Sequence, residues 1–554
     1  MRLVIILLSV FFVLFSFSPT LVEISQRHLV PQNRVFLLEH NYLFDYNFYL
    51  SRIREGYEGR WQVTEKYYNQ PHPPSLMQVV YLYLGKVGVF LQITPTDVYN
   101  LSRIFFGFLL LLATGIYCLK VLPGRWGLVA FVLVVTAGSW PIPMTINGSP
   151  RFGTYMGWWS VIDSLQRITH LPHVLIGQLM FLWCIKTFSQ STQRGLKRIL
   201  WGIIGFAAGI IFPPTLVVLY TWFGLHSILE LLSILSNNQK QKKMKVWVKD
   251  SIVPRAIFTV LSAPSLFYMQ YMFTILPWSA LALFDIQHRI PLPYREYALA
   301  LGPSLPLGLV GLALAFERVE KKLTPLISWI LAVGLLFLVF ERVPQQSPLR
   351  FTEAALHIPL GILAAFLFRQ LWHWATRLKV SIVSWGIRGM EAIVIAGVIL
   401  LGVSVMVSMV GWLTDQVVAR REGSWLVPIG AQVIYPLKDF MDAIYFVRDN
   451  VPRNSVVLTY ITAGNYIPAY AGQYVYIGHA NTPDEDTKEG IARQFFAGEM
   501  SPTIANAFLQ REHVSYIFFG PQEKEIGKRT ELTSVYPYLS KLYENPQVIL
   551  YRYK

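Results

Sequence analysis

The stretch HNYLFDYNFYLSRIREGYEGRW (residues 40–61), continued by VTEKYYNQPHPP (63–74), decides how the chain reads. It follows one apolar segment and precedes a long series of others. It holds an acid (Asp45), three arginines (Arg52, Arg54, Arg60) and many tyrosines. A polar, aromatic-rich stretch among membrane segments is costly to keep beside lipid unless it has work to do. The loop is therefore the expected seat of the chemistry, with the apolar segments positioning its substrate.

Working outward, hydrophobic residues make up 53% of the 554 positions and charged residues only 14%. That is too apolar and too weakly charged for an ordinary soluble protein. Several apolar runs approach the roughly 20 residues that cross a bilayer. The net charge of +16 does not point to nucleic acid. The cations are scattered through short loops between apolar runs, as the positive-inside rule requires, and do not line a groove for phosphates. The two cysteines, Cys118 and Cys184, lie inside apolar runs and read as small core residues.

The chain opens with Arg2 and then LVIILLSVFFVLFSF (3–17), an apolar core without a small-residue cleavage site. It reads as an uncleaved anchor with a cytoplasmic N-terminus, which puts the next loop outside. SLMQVVYLYLGKVGVFLQI (75–93), interrupted by Lys86 and two glycines, reads as a helix along the outer interface, or as a further span. Spans are expected at 103–119, 126–143, 171–188 and 199–212. Pro213-Pro214 then interrupts, and another run covers 215–235. Further spans are expected at 256–276, 299–316, 325–340, 354–371 and 392–413. Lys240, Lys242, Lys243, Lys245 and Lys249 mark a cytoplasmic loop. Arg318, Lys321 and Lys322 mark another, and Arg377, Lys379 and Arg388 a third. The count is about eleven spans, which leaves the C-terminus outside.

From about residue 422 the pattern changes. VVLTY (456–460), YVYIGH (474–479), VSYIFFG (514–520) and VILYRY (548–553) read as strands, and 484–497 and 501–512 as helices. The alternation predicts a small α/β domain with a mainly parallel sheet. The expected organisation is a polytopic part, 1–421, with a first outer loop at 25–102, and an extracytoplasmic domain, 422–554.

This layout resembles the GT-C superfamily of membrane glycosyltransferases, of the protein-mannosyltransferase and oligosaccharyltransferase type. Three features carry the resemblance. One is the anchor followed by an outer loop with Asp45 shortly after it. The second is HPPSLMQVVYLYLGKVG (72–88) with DVYNLSRIFFGFLLLLATGIYCL (97–119), which matches the family's HPP stretch through His72, Pro73, Pro74 and Arg103. The third is the α/β region after the last span, opening with YFVRDNVPRNSVVLTYITAGNYIPAYAG (445–472). Asp45 is followed by Tyr46, where many relatives have adjacent acids. The C-terminal region has no WWD-type motif, which points away from an oligosaccharyltransferase proper.

The resemblance implies an inverting transfer of a sugar from a polyprenyl-phosphate carrier, outside the cytoplasm of a plasma (inner) membrane, to a saccharide, lipid or protein. Such chemistry needs a carboxylate to take the acceptor's proton and cations to neutralise the departing phosphate. Asp45 is the candidate base; as an alternative it caps the helix FYLSRIREG (48–56). Arg52 and Arg54 are phosphate contacts, or partners of Glu55 and Glu58. His72 and Arg103 join the candidate substrate contacts through the HPP match. Arg350, in ERVPQQSPLRFTEAALH (341–357), is either a grip on the carrier phosphate or an interfacial anchor. Glu353 and His357 are expected on its helical face. RFGTYMGWWSVIDSLQRITHLPH (151–173) adds Arg151, Asp163, Arg167, His170 and His173, where the two histidines suggest at most a weak divalent-cation site. His479, between a strand and a helix, is a ligand position or an ordinary loop residue. Two other classes stay open: a transporter or flippase of lipid-linked saccharides, and a non-catalytic cell-envelope scaffold.

Overall fold

The computed structural model describes residues 1–146, 148–189, 195–235, 240–317, 320, 322–428 and 433–553. Arg318 and Lys321 of one expected cytoplasmic loop lie outside these. In chain order α1 (Arg2–Ser25), α2 (Leu43–Tyr57), α3 (Val79–Leu91), α4 (Pro95–Val121) and α5 (Arg125–Thr136) lead to a hairpin, β1 (Ile142–Ile146) and β2 (Ser149–Gly153). Then come α6 (Pro172–Phe188), α7 (Leu196–Ile211), α8 (Pro214–Leu235), α9 (Lys240–Trp247), α10 (Val253–Met272), α11 (Ser279–Gln287) and α12 (Tyr294–Ala300). They are followed by α13 (Ser304–Glu317), α14 (Thr324–Phe340), α15 (His357–Ala375) and α16 (Ser381–Glu422). The C-terminal region alternates α17 (Lys438–Asn450), β3 (Val456–Leu458), α18 (Ile461–Tyr470), β4 (Tyr474–Val475), α19 (Glu485–Ala497), α20 (Pro502–Arg511), β5 (Val514–Phe519), α21 (Pro521–Gly527), β6 (Leu539–Glu544) and β7 (Ile549–Tyr553).

Among the described residues five helices are long and apolar enough to cross a membrane: Arg2–Leu29, Pro95–Val121, Pro214–Leu235, Gln241–Met272 and Ser381–Glu422. Two bent pairs raise this to seven if each is one span: α12 with α13, bent by 88°, and the 3-10 turn Pro348–Ala354 with α15, bent by 52°. Gly302, in the left-handed region at φ +55°, precedes Pro303 at the first bend, and Ala355 at φ 54° forms the second. The expectation of about eleven spans exceeds this count because several apolar runs give short helices. The run read at 126–143 is the clearest case. Helix α5 stops at Thr136 after 12 residues, about 18 Å of rise, and the chain turns into the β1–β2 hairpin.

The chain divides into two compact units. The first comprises Met1–Pro19, Ser102–Tyr268 and Arg289–Leu413. Its core gathers Phe131, Leu175, Leu216, Trp222, Trp329 and Leu363, all at most 0% exposed. The indole N–H groups of Trp222 and Trp329 donate to Pro325 O and Ala354 O, each at 2.9 Å, so these large rings are buried without an orphan donor. Cys118 and Cys184 are free and buried in this unit.

The second unit comprises Thr20–Leu101, Met269–His288 and Thr414–Lys554, so the first loop and the C-terminal α/β region fold together. Backbone bonds tie them: Val35 N to Pro436 O at 2.9 Å, Lys438 N to Asn33 O at 2.8 Å and Val475 N to Lys66 O at 2.9 Å. Helices α2 and α3 cross at Gly56 and Gly85. A Cβ on either would run into the other helix's backbone, at Leu82 O or Ile53 O, so only glycine allows this approach. On its other side α2 meets α18, where the buried Asn47 Nδ2 donates to Asn465 Oδ1 at 2.7 Å. The sheet order is β4-β3-β5-β7-β6. Strand β3 runs parallel to β4 and β5, but β7 runs antiparallel to β5 and β6. The sheet is therefore mixed, not mainly parallel. The tight β6–β7 connection, with Asn545 N bonded to Val548 O at 2.9 Å, permits only an antiparallel pair.

Candidate functional site

Helix α2 begins at Leu43 with Tyr42 as its N-cap, so Asp45 is the third helical residue and caps nothing. A carboxylate there still gains from the helix N-terminal dipole. The Asp45 side chain is half exposed, and its Oδ1 lies 3.5 Å from Nε2 of His479, which is 4% exposed. His479 stands in the turn between β4 and α19. A close backbone crossing sets its position: a Cβ on Gly464 of α18 would strike Ile477 O, and one on Gly478 would strike Gly464 itself. The imidazole stacks on Phe48, one helical turn after Asp45, with ring centroids 4.6 Å apart and planes 23° apart. Tyr67 flanks both rings, 5.3 Å from the imidazole and 5.8 Å from Phe48. The Asn481 N–H donates to His479 Nδ1 at 3.1 Å. Neutral imidazole thus carries its proton on Nε2, facing Asp45.

Around this pair are Tyr42 and Glu485, the first residue of α19. Burial raises the Glu485 carboxyl, opposed by His479 and reinforced by Glu489 and Asp486. Burial and the Asp45 charge raise the Tyr42 phenol. Glu485 was not legible as a site residue, because nothing in its own stretch distinguishes it from a helix-start acid. His479 was legible only as one open reading, and its partner lies at the other end of the unit's sequence.

The arginines of the loop bond to groups of the protein itself. Arg52 is fully buried: Nη2 meets Glu65 Oε2 at 2.6 Å, Nη1 donates to Thr64 O at 3.1 Å, and the guanidinium covers the Phe48 ring at 4.2 Å. Its ion-pair partner is Glu65, with Glu55 also within electrostatic reach. Arg54 Nε donates to Ala469 O at 2.8 Å, and burial lowers its pKa to about 10, with Glu58 opposing. His72 bridges its own loop, with Nδ1 donating to Gln70 O at 2.8 Å and Nε2 accepting from Glu65 N at 2.9 Å. Burial lowers its pKa, so it is a neutral brace. These three arrangements share one cause. A polar loop that packs against an α/β region must satisfy its buried charges internally.

In the first unit, Arg103 Nε donates to Thr169 O at 2.8 Å. Arg350 sits in the Pro348–Ala354 turn, with 41% of its side chain exposed. It lies 3.9 Å from Glu353 Oε1 and 5.8 Å from the Trp159 ring centroid. The left-handed Ala355 separates this turn from α15, so His357 does not share a helical face with Arg350. Asp163 Oδ1 accepts from Leu165 N and Gln166 N, a turn-closing role. His170 ends a 3-10 turn and His173 opens α6. Among the described residues no group of three or more His, Cys, Asp or Glu could hold a metal ion.

No protein-family profile and no curated protein sequence matches the chain. Solved structures do. One is the oligosaccharyltransferase AglB from Archaeoglobus fulgidus, in complex with an inhibitory peptide and a dolichol-phosphate. It matches at TM-score 0.52 and 12% identity over 93% of this chain and 69% of that one. The arabinofuranosyltransferase AftD from Mycobacteria matches at TM-score 0.50 and 11% identity over 100% of this chain and 40% of that one. The chain has the GT-C fold. ArnT from Cupriavidus metallidurans matches at TM-score 0.47 and 10% identity over 97% of each chain. Another AglB structure is a complex with Zn and sulfate.

Proposed function

We propose that the chain is an integral-membrane glycosyltransferase that moves a sugar from a polyprenyl-phosphate-linked donor to an acceptor hydroxyl on the extracytoplasmic side, with inversion. The observation that carries this reading is the half-exposed Asp45 carboxylate, held against the buried His479 in a chain of GT-C fold. Asp45 serves as general base. The acceptor oxygen attacks the anomeric carbon, its proton passes to Asp45, and the carrier phosphate leaves. The dolichol-phosphate of the AglB complex supports a lipid-phosphate donor. Arg350, the most exposed of the arginines proposed for phosphate, grips the carrier, with Glu353 beside it. Arg52, Arg54, His72 and Arg103, committed to protein partners, act by shaping the substrate's surroundings. In this reading about eleven segments lie in the inner membrane, the N-terminus and the lysine loop at 240–249 are cytoplasmic, and residues 422–554 are outside.

The test is turnover of labelled polyprenyl-phosphate sugars by purified protein. Asp45→Asn keeps the shape but cannot take the proton. It should still insert and bind donor while turning over about 10²–10⁴-fold more slowly. Near-wild-type turnover in this variant overturns the assignment. A protein that moves the lipid-linked sugar across a vesicle bilayer without consuming it is a flippase instead.

A further inference from the structure

We infer that His479 is the positioning residue of the Asp45 carboxylate, a fixed N–H donor that aims the base and is not itself part of the proton path. The inference rests on the reading of Asp45 as base and goes beyond it by assigning work to the C-terminal α/β region.

The ring has no freedom to do otherwise. It is 4% exposed and stacked on Phe48 with Tyr67 at its flank. Its Nδ1 is occupied by the Asn481 N–H at 3.1 Å. The proton of the neutral ring is therefore on Nε2, and Nε2 has no hydrogen-bond partner among the described residues, other than the carboxylate it faces at 3.5 Å. Leaving a buried N–H unmade costs about 1–3 kcal/mol, so this donor calls for the one acceptor it faces. The carboxylate is that acceptor. Catalytic contacts at such a distance in a substrate-free enzyme shorten when substrate seats.

The assignment also fixes what His479 cannot do. With Nε2 protonated and Nδ1 accepting, neither nitrogen can receive the acceptor's proton. In the transfer step the acceptor O–H breaks, its proton goes to the Asp45 oxygen that His479 does not touch, and the acceptor oxygen bonds to the anomeric carbon. The bond from that carbon to the phosphate oxygen breaks, and its electron pair leaves on the phosphate. His479 keeps its proton throughout and holds the carboxylate correctly turned. Phe48 gives the arrangement its register, because it lies on the same face of α2 as Asp45 and carries the ring that carries the donor.

A double-mutant cycle in the full-length protein tests this, read as kcat and donor KM. His479→Ala should lower kcat by about 10–100-fold through loss of aim, with donor KM unchanged. His479→Gln, which retains an N–H on a side chain of similar reach, should recover most of that loss. His479→Phe keeps an aromatic ring over Phe48 but has no donor, so it should stay as slow as the alanine variant. Asp45→Asn with His479→Ala should be no slower than Asp45→Asn alone, because the two residues act as one unit. If His479→Phe restores kcat as well as His479→Gln, the ring is packing only and the inference fails. It fails equally if the two losses multiply in the double variant. Near-wild-type kcat in Asp45→Asn alone would instead bring down the base reading beneath it, an outcome the cycle separates from the others.

Discussion

Glu39 lies 2.8 Å from Arg420 Nη2, and the other arm of the same guanidinium holds Glu23 at 2.8 Å. Two buried carboxylates therefore share one cation. Burial raises the Glu39 pKa to about 7, with Arg420 and a hydrogen bond from Tyr466 opposing and Glu23 adding to the rise. The folded-state value is above the unfolded one, near 4.5. This contribution to stability is thus full below pH 4.5 and is lost as pH rises through 7. Thermal unfolding of the wild type between pH 5 and 8 should show a falling midpoint with this slope. Glu39→Gln, neutral at every pH, should flatten it. An unchanged slope in that variant would mean Glu39 is not the group responsible.

The Arg52–Glu65 pair, at 2.6 Å and almost fully buried, should behave as a structural element. Glu65→Ala leaves the guanidinium uncompensated and should cost about 3–5 kcal/mol of stability. The measurement is unfolding in detergent alongside turnover per folded molecule. A stable protein with weakened donor binding would return Arg52 to the substrate site.

Arg350 gives the opposite expectation. With 41% of its side chain exposed, Arg350 is open to replacement with the fold retained. Arg350→Lys should raise donor KM, since lysine offers no bidentate fork, and Arg350→Ala should raise it further. Wild-type donor KM in the alanine variant would leave Arg350 in a structural role beside Trp159 and Glu353.

Orientation is open to chemical labelling. Cys118 and Cys184 are buried, so an introduced cysteine reports alone. Exposed positions 245 and 528 serve best. In intact cells an impermeant thiol reagent should modify Lys528→Cys and spare Lys245→Cys, as the lysine bias predicts. The reverse pattern would invert the proposed topology.

Apolar run length and composition were enough to read helices α6, α7, α8, α10, α14 and α15 within a few residues, because burying a helix in lipid is a property of one segment alone. The strands β3, β5 and β7 were legible for the same reason, through their β-branched and aromatic runs. Asp45 and its loop stood out because charge among apolar segments is costly. The sequence could not say that Arg52 faces Glu65, that α5 ends early in a hairpin, or that β7 reverses against β5. Least of all could it say that His479 meets Asp45. Each of these depends on which distant segments meet. Local periodicity records how one face is buried and carries no information about its partner, and the glycine crossings at Gly56–Gly85 and Gly464–Gly478 that decide the partner act only once the chain has folded.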